Sequence, residues 1–139
     1  NLCVSVVKLG CKMKTQLTIT PHLIAESSPT MSDGMGAVVV FHGVVRSTED
    51  GDPIRAIEYE ANEAMTRHQF ELIFEAIEKQ WPVESIRLIH RTGEVAVNEA
   101  SLRVEVIAPH RAEAFAACQF LIDEMKAKVP IWKRPVSLT

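Results

Sequence analysis

Two prolines close two long helical patterns in this chain, and that punctuation limits its fold more than any other feature. Asn62 stands as an N-cap before a stretch in which Phe70, Ile73, Phe74, Ile77 and Trp81 recur at helical spacing, and Pro82 ends it. A second pattern starts near Pro109, a residue favoured in a first helical turn. It carries Phe115, Cys118, Ile122, Met125 and Val129 on one stripe and stops at Pro130. The remaining segments follow a different period. Thr15–Thr20 alternates polar and apolar residues and reads as a short strand, and Pro21 is expected to open a short helix to about Ser27. Ala37–Arg46 is a β-branched run bounded by glycine, the pattern of a buried strand. In Ile54–Ala61, Ile57 and Tyr59 alternate against Glu58 and Glu60, and Asp50-Gly51 marks a turn between the two runs. They read as a hairpin whose loop, Ser47–Pro53, is long and exposed. Ser85–Arg91, Glu94–Val97 and Ser101–Ala108 complete the strand candidates. In the last, Leu102, Val104 and Val106 alternate with Arg103 and Glu105, as in a sheet with one face covered. The expected class is α+β rather than doubly wound, a mainly antiparallel sheet with two long helices.

At 139 residues the chain fits one domain around one core. A net charge of −3 argues against a general nucleic-acid binder, so any anion site must be local. The longest apolar runs, such as Ala37–Phe41, are too short to span a bilayer, and no membrane role is expected. Cys3, Cys11 and Cys118 form no CxxC pair and have no metal-ligand spacing. They fit free thiols in a reducing, cytoplasmic setting, with Cys118 in the core. Met13-Lys14 reads as a natural start. Residues 1–12 are therefore expected to be an extension of the kind cloning leaves, without function, ahead of a single catalytic domain over 13–139.

Several cations sit where folding alone gives them no reason to be. His110 and Arg111 open a helix, where the dipole repels positive charge by roughly 0.3–1 kcal/mol each. They are either a solvated pair beside acidic neighbours such as Glu113, or half of a site for a phosphate or carboxylate. Lys126 follows Met125 at the edge of the buried stripe. A last-turn cation suits the dipole, but a half-buried ammonium could also move protons. Lys128 points elsewhere and is expected in solvent. Lys133 follows the stiff Pro130-Ile131-Trp132 segment, either as a surface cation or as a second active-site ammonium with Trp132 shaping the pocket. Arg46 ends a strand where the loop begins, a common ligand position. A straight helix puts about 22 Å between Arg111 and Lys126, so one small ligand cannot touch both within a chain. If the two groups serve one pocket, that pocket combines two chains, as in a symmetric dimer. There is no P-loop, GxSxG or HExxH, and His22, His42, His68, His90 and His110 form no spaced ligand set. His42 and His90 are read as hydrogen-bonded structural residues, and no metal or other cofactor is expected.

Five blocks of this sequence resemble the large, catalytic subunit family of molybdopterin synthase: Gly36–Arg46, Ile57–Ala61, His90–Val95, Pro109–Arg111 with Ala114-Phe115, and Asp123–Lys126 running into Pro130–Arg134. The resemblance covers about residues 15–134 and implies an α/β-hammerhead-type fold. It implies sulfur transfer from the thiocarboxylated C-terminal Gly-Gly of a small ubiquitin-like subunit to cyclic pyranopterin monophosphate, giving the molybdopterin dithiolene. It further implies a heterotetramer with a homodimer of large subunits at its centre. Lys126 and Lys133 match the family's active-site lysines. Arg46, with His110 and Arg111 from the neighbouring chain, would hold the substrate, and Trp132 would shape its pocket. The family usually has an acidic residue after Trp-Lys-Arg; here Pro135 follows, which puts contacts of that segment with the small subunit in doubt. Two non-catalytic alternatives remain: a module that binds a pterin or phosphate, and a docking scaffold for a ubiquitin-like protein.

Overall fold

The structure is a computed structural model and describes residues 13–139, so Cys3, Cys11 and the extension read over 1–12 lie outside it. In chain order the elements are β1 (Lys14–Thr20), β2 (Ala37–Val44), β3 (Thr48–Glu49), β4 (Asp52–Ala61), α1 (Glu63–Gln80), β5 (Ser85–Arg91), β6 (Gly93–Ala96), β7 (Ala100–Ala108), α2 (Arg111–Lys128) and β8 (Ile131–Ser137). This is the α+β class expected, with two long helices and mainly antiparallel pairing; among the described residues only β1 with β5 is parallel. There are two sheets. One has the order β1-β5-β7-β2; in the other, β4 carries β3, β6 and β8.

Local chemistry explains both helices. The Asn62 side chain accepts from the Met65 N–H at 3.1 Å, capping α1. Phe70, Ile73, Phe74 and Ile77 are buried on one stripe, and Trp81 ends the helix in extended conformation before Pro82. The second helix starts at Arg111, with His110 as N-cap, so Pro109 stands just outside it. Its buried stripe is Ala114, Ala117, Cys118, Leu121 and Met125. Phe115, expected on that stripe, is 61% exposed, because two alanines let the helix lie close on the sheet and turn Phe115 to the side. Cys118 is core, as expected, and burial pushes its thiol pKa up. These stripes meet Leu102, Val104, Val106 and Ala108 of β7 in one core cluster.

The sheet's other face departs from the sequence reading. Arg103 and Glu105 alternate with the core residues, yet they are 3% and 1% exposed. Glu105 accepts two 2.6 Å hydrogen bonds from Arg87, and Arg103 reaches Glu26. No helix forms after Pro21. The six residues Pro21–Glu26 ahead of Ser-Ser-Pro are too few to hold a helix alone, and Glu26 instead pairs with the buried Arg103 and with His42 Nε2 at 2.8 Å.

Strand pairing corrects the expected hairpin. The Asp50-Gly51 turn, with both residues at positive φ, zips only Thr48-Glu49 to Asp52-Pro53. Beyond it β2 and β4 part into different sheets. β2 takes β7 as its partner, while β4 takes β6 and β8. β8 itself was read from sequence only as a stiff apolar segment. Gly36 brings the start of β2 against the end of β7: its N–H donates to Pro109 O at 3.1 Å, and an added Cβ would sit 2.7 Å from that oxygen.

Candidate active site

Where the two sheets diverge, the end of α2 and the start of β8 enclose a cleft of about 600 Å³. Its walls come from distant parts of the chain: Phe41–Arg46 with Glu49, Ile57 and Tyr59 of β4, His90 at the end of β5, Ser101 and Leu102 of β7, Ile122, Met125, Lys126 and Val129 around the end of α2, and, in β8, Ile131 and Lys133. Strand alternation selects the last two. Ile131 and Lys133 point into the cleft, while Trp132 and Arg134 point the other way, with Arg134 bonded to Glu58. Trp132 was expected to shape the pocket. It is 59% exposed on the opposite face and does not line the cleft.

Three expected cations do meet here. Arg46, Lys126 and Lys133 all line the cleft, although 80 positions separate Arg46 from Lys126 in the chain. Lys126, by sequence either a last-turn cation that suits the dipole or a half-buried ammonium, is exposed at the rim of the cleft. Lys128 lies outside and pairs with Glu124 at 2.8 Å, as a solvated cation would. The Lys133 Nζ donates to Glu49 Oε1 at 3.3 Å. Glu49 belongs to the short β3 hairpin, and only 14% of its side chain is exposed. The floor is apolar and aromatic. Tyr59 lies directly across from Lys133 in the β4–β8 register, and its ring meets that of His90 edge-on, with centroids 5.3 Å apart.

His90 is structural in the way expected, but it also lines the cleft. Its Nδ1 lies 2.7 Å from Arg91 O, and because a carbonyl only accepts, Nδ1 must carry the proton. Burial holds the His90 pKa below the ordinary histidine value, the carbonyl contact partly opposing it. The neutral ring therefore adds no charge to the cationic cleft. Sequence reading missed Glu49, Tyr59 and His90 as lining residues. The inward phase of Tyr59 was legible from its alternation with Glu58 and Glu60, but nothing local placed Glu49 or His90 beside Lys133.

His110 and Arg111 are not in the cleft of their own chain; they lie at the opposite end of α2, both exposed. Glu113 reconciles this end with the helix dipole: its Oε1 accepts from the His110 N–H at 2.8 Å and lies 3.2 Å from His110 Nδ1. Among the described residues no group of His, Cys, Asp or Glu is arranged to hold a metal ion, and no helix is long and apolar enough to cross a membrane.

The structure is thus an α+β domain in which three cations line a cleft between two sheets. The family model described as MoaE protein matches residues 14–128. The molybdopterin synthase catalytic subunit of Nostoc sp. is 41% identical over 114 residues, covering 81% of this chain and 66% of that protein. The human molybdopterin synthase catalytic subunit is 40% identical over 101 residues, covering 73% of this chain and 54% of that one. Among solved structures, the crystal structure of molybdopterin synthase from Staphylococcus aureus superposes with a TM-score of 0.73 at 33% identity, covering 78% of this chain and 79% of that one. The chain belongs to the molybdopterin synthase catalytic subunit family, the MoaE proteins. Its match spans from about half to two thirds of the length of those two relatives.

Proposed function

We propose that residues 13–139 form a catalytic domain that transfers sulfur from a thiocarboxylated protein tail to cyclic pyranopterin monophosphate. The observation that carries this is the convergence of Arg46, Lys126 and Lys133 on one cleft with an apolar floor. A phosphorylated pterin offers an anion for the arginine and a flat ring for the floor. A thiocarboxylate end offers a second anion for a lysine. The relatives' name, catalytic subunit, implies a further subunit, and a small sulfur carrier with a C-terminal Gly-Gly fits that part.

The chemistry runs in two stages for each sulfur. The thiocarboxylate sulfur adds to a carbonyl-level carbon of the pterin side chain. The C=O electron pair moves to oxygen, which takes up a proton and later leaves as water, so that a C–S bond joins the pterin to the tail as a thioester. Lys126, at the rim, stabilises the negative charge that develops on the substrate, or donates a proton to it. Water then cleaves the thioester: its oxygen leaves on the tail carboxylate, and the sulfur stays on the pterin. Lys133 neutralises the thiocarboxylate on arrival and the acyl oxygen during hydrolysis. Arg46 grips the phosphate, assisted by His110 and Arg111 of a second copy, since neither can reach the cleft of its own chain. The assembly is a cytoplasmic homodimer with a small subunit at each active site.

A docking scaffold for a ubiquitin-like protein would need a groove for the tail but no adjoining set of cations, so the cleft favours the enzyme. The test mixes this protein with a thiocarboxylated small subunit and the cyclic precursor and measures dithiolene product. Lys126→Ala should abolish product while leaving the oligomeric state intact. Normal turnover by that variant removes Lys126 from the mechanism.

A further inference from the structure

A polar ring stands at a core position at the end of β5. Ile86, Leu88 and His90 share one face of that strand, and the first two are sealed in the core. His90 falls where that cover ends and the cleft begins, so its imidazole is buried and yet lines the cleft. The strand register sets it beside Leu102 of β7 and, one strand further, Gly43 of β2, both of which line the cleft as well.

The two ring nitrogens have different fates. Nδ1 donates its proton to Arg91 O at 2.7 Å, which leaves Nε2 with the lone pair. Among the described residues no group hydrogen-bonds to Nε2. Nor is it sealed from solvent, since Arg91 Nε is the one buried side-chain nitrogen or oxygen among them that lacks a partner. Nε2 therefore opens to the cleft as an unused proton acceptor.

The other groups that line the cleft are less suited to take a proton from water. Arg46 stays charged. Lys133 donates to Glu49 at 3.3 Å, which engages the Glu49 carboxylate as well. His42 Nε2 lies 2.8 Å from Glu26. The position of His90 also fits. Tyr59 is both the register partner of Lys133 and the ring neighbour of His90. An acyl group held by Lys133 over Tyr59 thus lies beside the imidazole, with room in the cleft for a water.

We propose that His90 is the general base that activates water for hydrolysis of the thioester, an inference that rests on the sulfur-transfer reading. Nε2 takes a proton from water as the oxygen adds to the acyl carbon, and the C=O electron pair moves onto the oxygen that faces Lys133. The tetrahedral species collapses and the bond from acyl carbon to sulfur breaks. The imidazolium returns its proton to the departing pterin sulfur, and the tail leaves as a carboxylic acid that ionises in water. The Arg91 carbonyl holds the ring in the reactive tautomer, and burial keeps the resting ring neutral.

The test is a single-turnover reaction with thiocarboxylated small subunit and the cyclic precursor, quenched and read by mass spectrometry for small subunit joined to pterin. The variant is His90→Asn, whose side-chain N–H can still donate to Arg91 O but which has no second ring nitrogen. The thioester should accumulate, because its cleavage slows at least about a hundred-fold. Wild-type cleavage should level off above the pH at which His90 titrates, whereas cleavage by the variant should climb about tenfold per pH unit, as for attack by hydroxide. His42, Arg46, Glu49, Tyr59, Lys126 and Lys133 also face the cleft, and the variant keeps them all, so a lost plateau belongs to His90. Should the variant not fold, wild-type protein decides: its plateau must begin where the buried histidine titrates by NMR, and a mismatch overturns the proposal. Cleavage by His90→Asn at the wild-type rate, or with the wild-type plateau, overturns this assignment alone. Wild-type protein that forms no C–S bond removes the sulfur-transfer reading and this one with it.

Discussion

Two inactive variants should repair each other. In the proposed assembly every site takes Lys126 from one chain and Arg111 from the other, because about 22 Å of helix separates them within a chain. Removing either side chain, as Arg111→Ala or Lys126→Ala, deletes a charge-assisted contact worth about 1.5–3 kcal/mol. At 1.4 kcal/mol per decade, each variant alone should lose at least about ten- to a hundred-fold in activity. Mix the two in equal amounts and let the subunits exchange. Half the dimers become mixed, and each mixed dimer has one intact site and one site lacking both groups. Activity should rise to about a quarter of wild type, a value set by the symmetry of the dimer alone. The assay is dithiolene formation from the cyclic precursor and a thiocarboxylated small subunit, followed over the time of exchange. A mixture no more active than the average of its two components refutes the shared site.

Three further outcomes follow from the geometry. Glu49→Gln removes the carboxylate that Lys133 holds at 3.3 Å, so a peptide ending in Gly-Gly carboxylate should bind several-fold more tightly by calorimetry, while its C-terminal amide should not. Equal gains for both peptides would show that Glu49 does not compete for the tail's charge. Glu105→Gln leaves Arg87 and Arg103 without their shared buried carboxylate and should cost about 3–5 kcal/mol in urea unfolding; a loss under about 1 kcal/mol would mean that the network is solvated. His90 has its pKa held below the ordinary 6.5 by burial, so the unfolded chain takes up that proton at a higher pH than the folded one. Its contribution is complete above about pH 6.5 and is lost as pH falls below that value; the fall in urea midpoint should be shallower in His90→Asn.

The two helices and most strands were legible in the sequence because their signals are local: a period of 3.6 or 2, an N-cap at Asn62, and stops at Pro82 and Pro130. The cations of interest were also visible, as charges at odds with a helix dipole or an apolar segment, and the family resemblance gave Lys126 and Lys133 roles. What those signals fix is which side of an element is apolar, not what that side will face. The sequence shows Pro130-Ile131-Trp132 only as a stiff apolar segment that groups Trp132 with Lys133; its pairing with β4 as strand β8 turns Lys133 to the cleft and Trp132 to the opposite face. The expected β2–β4 hairpin failed because a two-residue turn specifies only its own flanking pairs, while β7, more than fifty residues away, offers β2 a full-length partner. Glu49, Tyr59 and His90 became neighbours of Lys133 through the same long-range choices. By itself the sequence determined the elements and their apolar faces, through forces acting within a few residues. Only the tertiary structure decided which strands meet and which side chains share a void, because those contacts depend on chain segments that have no covalent reason to be near one another.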